Sequence, residues 1–164
     1  MSKIVLVTGA SSGYGKATAK VFADKGYTVV IAARNKEKLD AAKNETGADA
    51  SIVMDVTKPE DWNAVKKFIT EKYGRLDILV NNAGGGVAIK EVSELSVEEI
   101  DSTIKLNLNS VIYGCREFAD MMRQQKFLKI TLKRIQMSLK LMSILINIKE
   151  KILLVFMLKV FKIS

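Results

Sequence analysis

Gly9, Gly13 and Gly15 fall within eight residues, Thr8-Gly-Ala-Ser-Ser-Gly-Tyr-Gly15. That spacing lets a backbone turn tightly and approach a phosphate closely. The flanks give the run its meaning. Ile4-Val-Leu-Val7 is apolar, with three β-branched residues of four, as in a buried parallel strand. Lys16 to Lys25 reads as a helix, with Ala17, Val21 and Phe22 near one face and Gly26 past its end. A glycine turn between a strand and a helix N-terminus suits a pyrophosphate, whose charge the first N–H groups of the helix hold. The alternative is an ordinary strand-to-helix turn that happens to carry three glycines.

Five other positions have residue types suited to chemistry. Asp55 ends the run Met54-Asp-Val56, at the carboxyl edge of a strand, where open parallel sheets bind ligands. Its alternative is a plain turn aspartate. Asn81 and Asn82 follow another strand and can bond their own backbone, bracing a loop. Asn107 lies inside a helical stretch where asparagine has mediocre propensity. Its side chain or a freed carbonyl could hold a water, or it is simply an exposed helix asparagine. Arg34 ends Ala32-Ala33-Arg34. It either meets an anion or is solvated in a basic loop with Lys36 and Lys38.

Positioning these residues requires alternating strands and helices. Thr28–Ala32 is a second strand, Ser51–Met54 a third and Leu76–Val80 a fourth. A helix runs from about Lys36 to Glu45, with Asn35 as N-cap and Gly47 beyond it. Thr57-Lys-Pro-Glu60 reads as a capping box opening a helix that ends at Tyr73-Gly74. Ser96-Val-Glu-Glu99 is another, opening a helix to about Arg123. The pattern is α/β, an open parallel sheet with helices on both faces.

Composition excludes several function classes. The 164 residues make one domain. There is no histidine, which removes Ser-His-Asp catalysis and the commonest metal ligand, so no metal site is expected. The single cysteine, Cys115, cannot form an internal disulfide and reads as a small core residue. The net charge of +8 is unevenly placed. Residues 128–164 carry seven Lys and one Arg against one Glu, a net of +7. Residues 1–127 carry 18 basic and 17 acidic groups, so nothing there argues for nucleic acid. No signal segment and no apolar run of membrane-spanning length is seen, and the expected location is the cytoplasm.

Taken together, Thr8-x-x-x-x-Gly13-x-Gly15 led by Gly9, Asp55, Asn81-Asn-Ala-Gly84 and Asn107 resemble the short-chain dehydrogenase/reductase family in order and spacing over about residues 1–127. The resemblance implies a Rossmann-like doubly wound sheet, cut short after four or five strands. It also implies NAD(P)-dependent interconversion of an alcohol and a carbonyl on a small-molecule substrate. By the same resemblance the cofactor is held by Thr8, Gly9, Ser11, Ser12, Gly13, Tyr14 and Gly15, by Arg34, by Asp55 and Val56, and by Asn81, Ala83 and Gly84. Asp55 takes the place of the acid that holds the adenine amino group, and Asn107 that of the asparagine assigned to the proton relay. No acid ends the second strand, and Arg34 suits a 2′-phosphate, so NADP is expected over NAD.

One family feature is missing from these residues. The family's chemistry uses a Tyr four residues before a Lys, with a Ser upstream; the Tyr hydroxyl moves a proton while the nicotinamide moves a hydride. Four residues beyond Tyr14, Tyr27, Tyr73 and Tyr113 stand Thr18, Ile31, Asp77 and Glu117. Asn107 is therefore the one catalytic candidate, and no turnover is expected.

Residues 128–164 use a different vocabulary. Leu, Ile and Lys supply 22 of these 37 residues, and Gly, Ala, Pro, Asp and Tyr are absent. An A/T-rich gene translated out of frame would give such a composition. A basic amphipathic segment for an anionic membrane or a partner is the second reading. A fifth strand at Leu128–Leu132 is the third. A sheet left open beside its fourth strand would expose apolar surface and favour homo-oligomers. The functions that remain open are therefore an oxidoreductase, a non-catalytic nucleotide-binding remnant, and a module that binds through its basic tail.

Overall fold

In the computed structural model the described residues are 2–86 and 91–124. Four parallel strands, β1 (Ile4–Thr8), β2 (Thr28–Ala33), β3 (Ala50–Val53) and β4 (Ile78–Val80), form one sheet in the order β3-β2-β1-β4. The helices are α1 (Gly13–Asp24), α2 (Lys36–Thr46), α3 (Pro59–Tyr73), α4 (Val97–Ile104) and α5 (Ser110–Gln124). A π turn, Lys105–Asn109, joins the last two. This is the Rossmann-like α/β fold expected. The possible fifth strand at Leu128–Leu132 lies outside the described residues.

Alternation along each strand divides the core in two. Val5, Val7, Val29 and Ile31 point to one face, where Ala19 of α1 and Leu39 and Ala42 of α2 cover them. Leu6, Val30 and Ala32 point to the other, against Trp62, Val65 and Ile69 of α3 and Phe118 and Met122 of α5. The chain steps from β1 to β2 to β3 in one direction, then returns past β1 to place β4. The helices that follow β1 and β4 therefore pack on opposite faces of the sheet, and a crevice opens at the carboxyl edge.

Several local expectations need correction. The first helix begins at Gly13, three residues before Lys16, and buries Gly15 and Ala19. Val21 is exposed, as is Ala17, because the helix lies on the sheet through its smallest residues and turns those two outward. The capping box at Thr57 does not form. Lys58 occupies the N-cap position with no side-chain bond, and the Thr57 hydroxyl instead donates to Asp55 Oδ1 at 2.8 Å. The capping box at Ser96 and Glu99 is present. The helix it opens is interrupted by the π turn, and β4 is shorter than Leu76–Val80.

The start of the sheet is pinned by a buried acid. Asp77 is 5 % exposed. Its Oδ2 accepts from Ile4 N at 2.8 Å and from Arg75 Nε at 3.0 Å, and Arg75 also pairs with Oδ1. Asp77→Ala strands the Ile4 N–H in the interior, and urea unfolding should show a loss of about 1–3 kcal/mol. Asp24→Ala, which removes an exposed pair with Lys20, should leave the midpoint unchanged. Equal midpoints for the two variants would contradict the role given to Asp77.

Candidate active site

The first loop and the loop after β4 are locked together. Thr8 is 1 % exposed. Its hydroxyl accepts from Asn82 N and Ala83 N, both at 3.1 Å, and lies 3.3 Å from Val80 O as donor. Asn82 Nδ2 returns the connection, donating to Thr8 O at 3.0 Å and Gly9 O at 3.4 Å. The two backbones touch because glycines stand where they meet. A β-carbon at Gly9, where φ is +66°, would lie 2.8 Å from Ala83 Cα. One at Gly15 would overlap Gly9 O and sit 2.5 Å from Asn82 Nδ2. Ser12 caps α1 in extended conformation without a side-chain cap bond, and the opening N–H groups of a helix have no partner within it.

Above this joint lies a cleft of about 350 Å³. Gly9, Ser11 and Ser12 line one wall; Ala33, Arg34, Asn35 and Lys38 line the end beyond β2. Met54 and Val56 follow β3, and Asn82, Ala83, Gly84 and Leu106 close the opposite side. Arg34 and Lys38 put two cations at one end, beside the N-terminus of α2. Asn35 caps that helix, its Oδ1 accepting from Lys38 N at 2.8 Å. A dinucleotide fits this donor set: glycine backbone for the pyrophosphate, paired cations for a further phosphate, apolar Met54 and Val56 for a base.

Of the candidate residues, Gly9, Ser11, Ser12, Arg34, Val56, Ala83 and Gly84 line the cleft. Thr8 and Gly15 lie beneath it as structural joints, and Tyr14, 86 % exposed, stands next to Gly13 on the outer side of the loop. Asp55 does not line the cleft. Its Oδ1 accepts from Thr57 N at 3.0 Å and Thr57 Oγ1 at 2.8 Å. Asn81 faces α5, its Nδ2 3.7 Å from Cys115 Sγ, with its Oδ1 buried and unpartnered among the described residues. Burial raises the Cys115 thiol pKa, which the Asn81 contact only partly offsets; an inert packed cysteine fits this setting. Ala33, Asn35, Lys38, Met54, Asn82 and Leu106 also line the cleft and were not read as cofactor-holding residues. The signal for Lys38 was its place in the first turn of a helix that starts at the sheet's carboxyl edge.

Asn107 sits in the π turn, where the Ser110 N–H bonds to Lys105 O. Its Oδ1 accepts from Gly85 N at 3.0 Å, and its Nδ2 donates to Gly85 O at 2.8 Å and Thr103 O at 2.9 Å. The amide therefore clamps the loop after β4. A β-carbon at Gly84 would come within 2.8 Å of Asn107 Oδ1, so that glycine allows the clamp.

Burial alone would raise the Asp55 carboxyl pKa; the two Thr57 bonds and the charges of Arg34 and Lys58 outweigh it and hold the group below its ordinary 3.8. A depressed folded pKa contributes stability above the unfolded value and loses it as pH falls through the folded one. Asp55 is thus ionised at neutral pH, and its midpoint lies below 3.8. Thr57→Val should raise its midpoint in an NMR titration; an unmoved midpoint would contradict the Thr57 contribution.

Comparison with known proteins agrees with this geometry. A family model described as short chain dehydrogenase matches residues 3–131. A 3beta-hydroxysteroid dehydrogenase of Mediterraneibacter gnavus is 42% identical over 125 residues, covering 74% of this chain and 45% of that protein. L-sorbose reductase of Gluconobacter frateurii, solved with NADPH and L-sorbose, superposes with a TM-score of 0.70 at 32% identity, covering 76% of this chain and 49% of its own. A 3-ketoacyl-(acyl-carrier-protein) reductase of Brucella melitensis, solved with NADH, gives 0.71 at 34% identity, covering 74% and 51%. The chain spans about half the length of the curated relatives it matches.

Proposed function

The chain belongs to the short-chain dehydrogenase family, and from that premise we propose that it binds NADP(H) in the cleft between β1 and β4 without turning over a substrate. The observation that carries the reading is the interlocked pair of loops, in which Gly9 and Gly15 leave room for no side chain and the cleft ends in two cations. Both nicotinamide cofactors occur in the similar structures, NADPH with the sorbose reductase and NADH with the ketoacyl reductase. Arg34 and Lys38 favour the phosphorylated form, since a guanidinium and an ammonium meet a 2′-phosphate directly.

In this reading the loop Gly9–Gly15 and the first turn of α1 hold the pyrophosphate. Arg34 and Lys38 hold the ribose phosphate, and Met54 and Val56 flank the base. Gly84 and the Asn107 clamp fix the wall nearest the reacting end. When bound, the nicotinamide supplies hydride chemistry between an alcohol and a carbonyl. These residues contain no Tyr followed four positions later by Lys, so nothing among them moves the matching proton, and Asn107 is left as a positioning residue. Absence of turnover is supported by that sequence fact alone.

The test is an absorbance assay of the full chain with NADPH and a panel of ketones, keto sugars and oxoacyl thioesters, run beside a binding titration. Binding without any substrate-dependent loss of NADPH is the expected result. Substrate-dependent oxidation of NADPH would overturn the non-catalytic reading while leaving the cofactor site intact.

A further inference from the structure

The apolar wall of the cleft is held from behind by side chains that do not line it. Met54 N donates to Ala33 O at 3.0 Å and ties the end of β3 to β2. Beyond that point the first turn of α3 takes over. Asp61 Oδ2 accepts from Asp55 N at 2.7 Å, and Trp62 Nε1 donates to Val56 O at 2.9 Å. An indole has one donor and no acceptor, so this bond uses the whole polar capacity of the ring. The ring itself is clamped. Trp62 is 1 % exposed, and Phe118 of α5 meets it edge to face, with centroids 6.5 Å apart. Gly114, one turn earlier on α5, brings the helix backbone against the far side of the ring: a β-carbon there would lie 2.5 Å from Trp62 Cη2. The indole thus reaches from α5 to Val56 and cannot swing without repacking both.

We propose that Trp62 is the positioning residue for the base end of the cofactor, acting through Val56. The inference rests on the cofactor reading above and deepens it. Val56 lines the cleft, and with its carbonyl held by the indole its side chain keeps one place in the wall. A leucine or phenylalanine at position 62 would also fill the core, but it would leave the buried Val56 carbonyl without this donor. Glycine inside a helix is unfavourable, and at Gly114 what it makes room for is the larger ring. The single tryptophan of the chain and a glycine in mid-helix then have one cause, which neither the glycine loop nor the Asn-Asn-Ala-Gly run supplies. It follows that the wall flanking the base is set from α5, although no residue of α5 lines the cleft.

With one tryptophan in the chain, the indole N–H gives a single resonance in a ¹H–¹⁵N spectrum of the full-length protein. The test is to titrate that protein with adenosine 2′,5′-bisphosphate, which carries the purine and the ribose phosphate, and with nicotinamide mononucleotide, which carries neither. Expected is a saturable shift of the indole resonance with the bisphosphate, at the midpoint shown by the Arg34 and Val56 amides, and no indole shift with the mononucleotide. Trp62→Phe keeps a ring and loses the donor, and it should weaken bisphosphate binding about 10-fold, the equivalent of one hydrogen bond. The parent titration carries the test on its own should Trp62→Phe not fold. An indole resonance that stays still while the Arg34 amide shifts would overturn this inference and leave the cofactor reading standing. A folded Trp62→Phe protein with parental affinity would do the same. No shift at any amide, with NADPH as well as with the bisphosphate, would overturn both.

Discussion

Gly15→Ala is expected to weaken NADPH binding by at least about 100-fold, or ~2.7 kcal/mol, and to lower stability as well. The direction of the stability change is informative. Gly15 lies in the first turn of α1, and alanine in a helix is ordinarily favoured over glycine by about 1 kcal/mol. Here the new methyl group would overlap Gly9 O and press on Asn82 Nδ2 at 2.5 Å. Both belong to the joint between the two loops and have little room to move, so overpacking of about 1–3 kcal/mol outweighs the propensity gain. Gly13→Ala is the comparison. A β-carbon there meets nothing within 4 Å, and the cost is that of a residue held at φ +53°, about 1–2 kcal/mol. A Gly15→Ala protein that is more stable than the parent and binds cofactor normally would show that the loops are not in contact.

Thr8→Val is the second large effect. Valine has nearly the shape of threonine, so the substitution leaves packing in place and removes only the hydroxyl. The Ala83 N–H then loses its acceptor beside a position 1 % exposed, while the Asn82 N–H keeps its bond to Val80 O at 3.0 Å. A stranded donor costs about 1–3 kcal/mol, and that is the loss expected in denaturant unfolding. The loop after β4 should also exchange its amides faster, because Thr8 and Asn107 are its two clamps. Thr8→Ser keeps the oxygen and should restore most of the stability. If Val and Ser behaved alike, the cost would lie in packing and not in the hydrogen bonds.

Much of the fold was legible because strand and helix periods differ and the punctuation is clear. Ile4–Val7, Asn35 before α2, and the αL glycines Gly47 and Gly74 each mark an element by local chemistry that tertiary structure does not override. The errors fall where a residue had two local partners to choose from. Thr57 could have capped α3 but bonds Asp55 instead, a competition that a capping-box pattern does not resolve. The buried side of α1 was misjudged because glycine and alanine carry little hydrophobic signal, yet these are the residues that let the helix approach the sheet. The π turn had no sequence marker beyond Asn107 itself.

The same division runs through the site. Residues that line the cleft with backbone alone, such as Gly9 and Gly84, were readable from the motif. Asn35 and Lys38 enter the cleft because the order β3-β2-β1-β4 brings the N-terminus of α2 alongside the glycine loop, a relation between segments that no local window contains. Asn107 was picked out for a side chain or freed carbonyl that could hold a water; its side-chain amide is bonded to Gly85 and Thr103, and its carbonyl lies within the π turn.

The most direct measurement is a calorimetric titration of the full chain with NADPH and with NADH, repeated on Arg34→Ala. The predicted result is saturable binding of one NADPH per chain, with NADH weaker by about 10–100-fold, the range expected when charged hydrogen bonds to a phosphate are lost. Arg34→Ala should remove most of that difference while leaving NADH affinity unchanged. No saturable binding of either cofactor, in a chain that unfolds cooperatively, would contradict the assignment of the cleft.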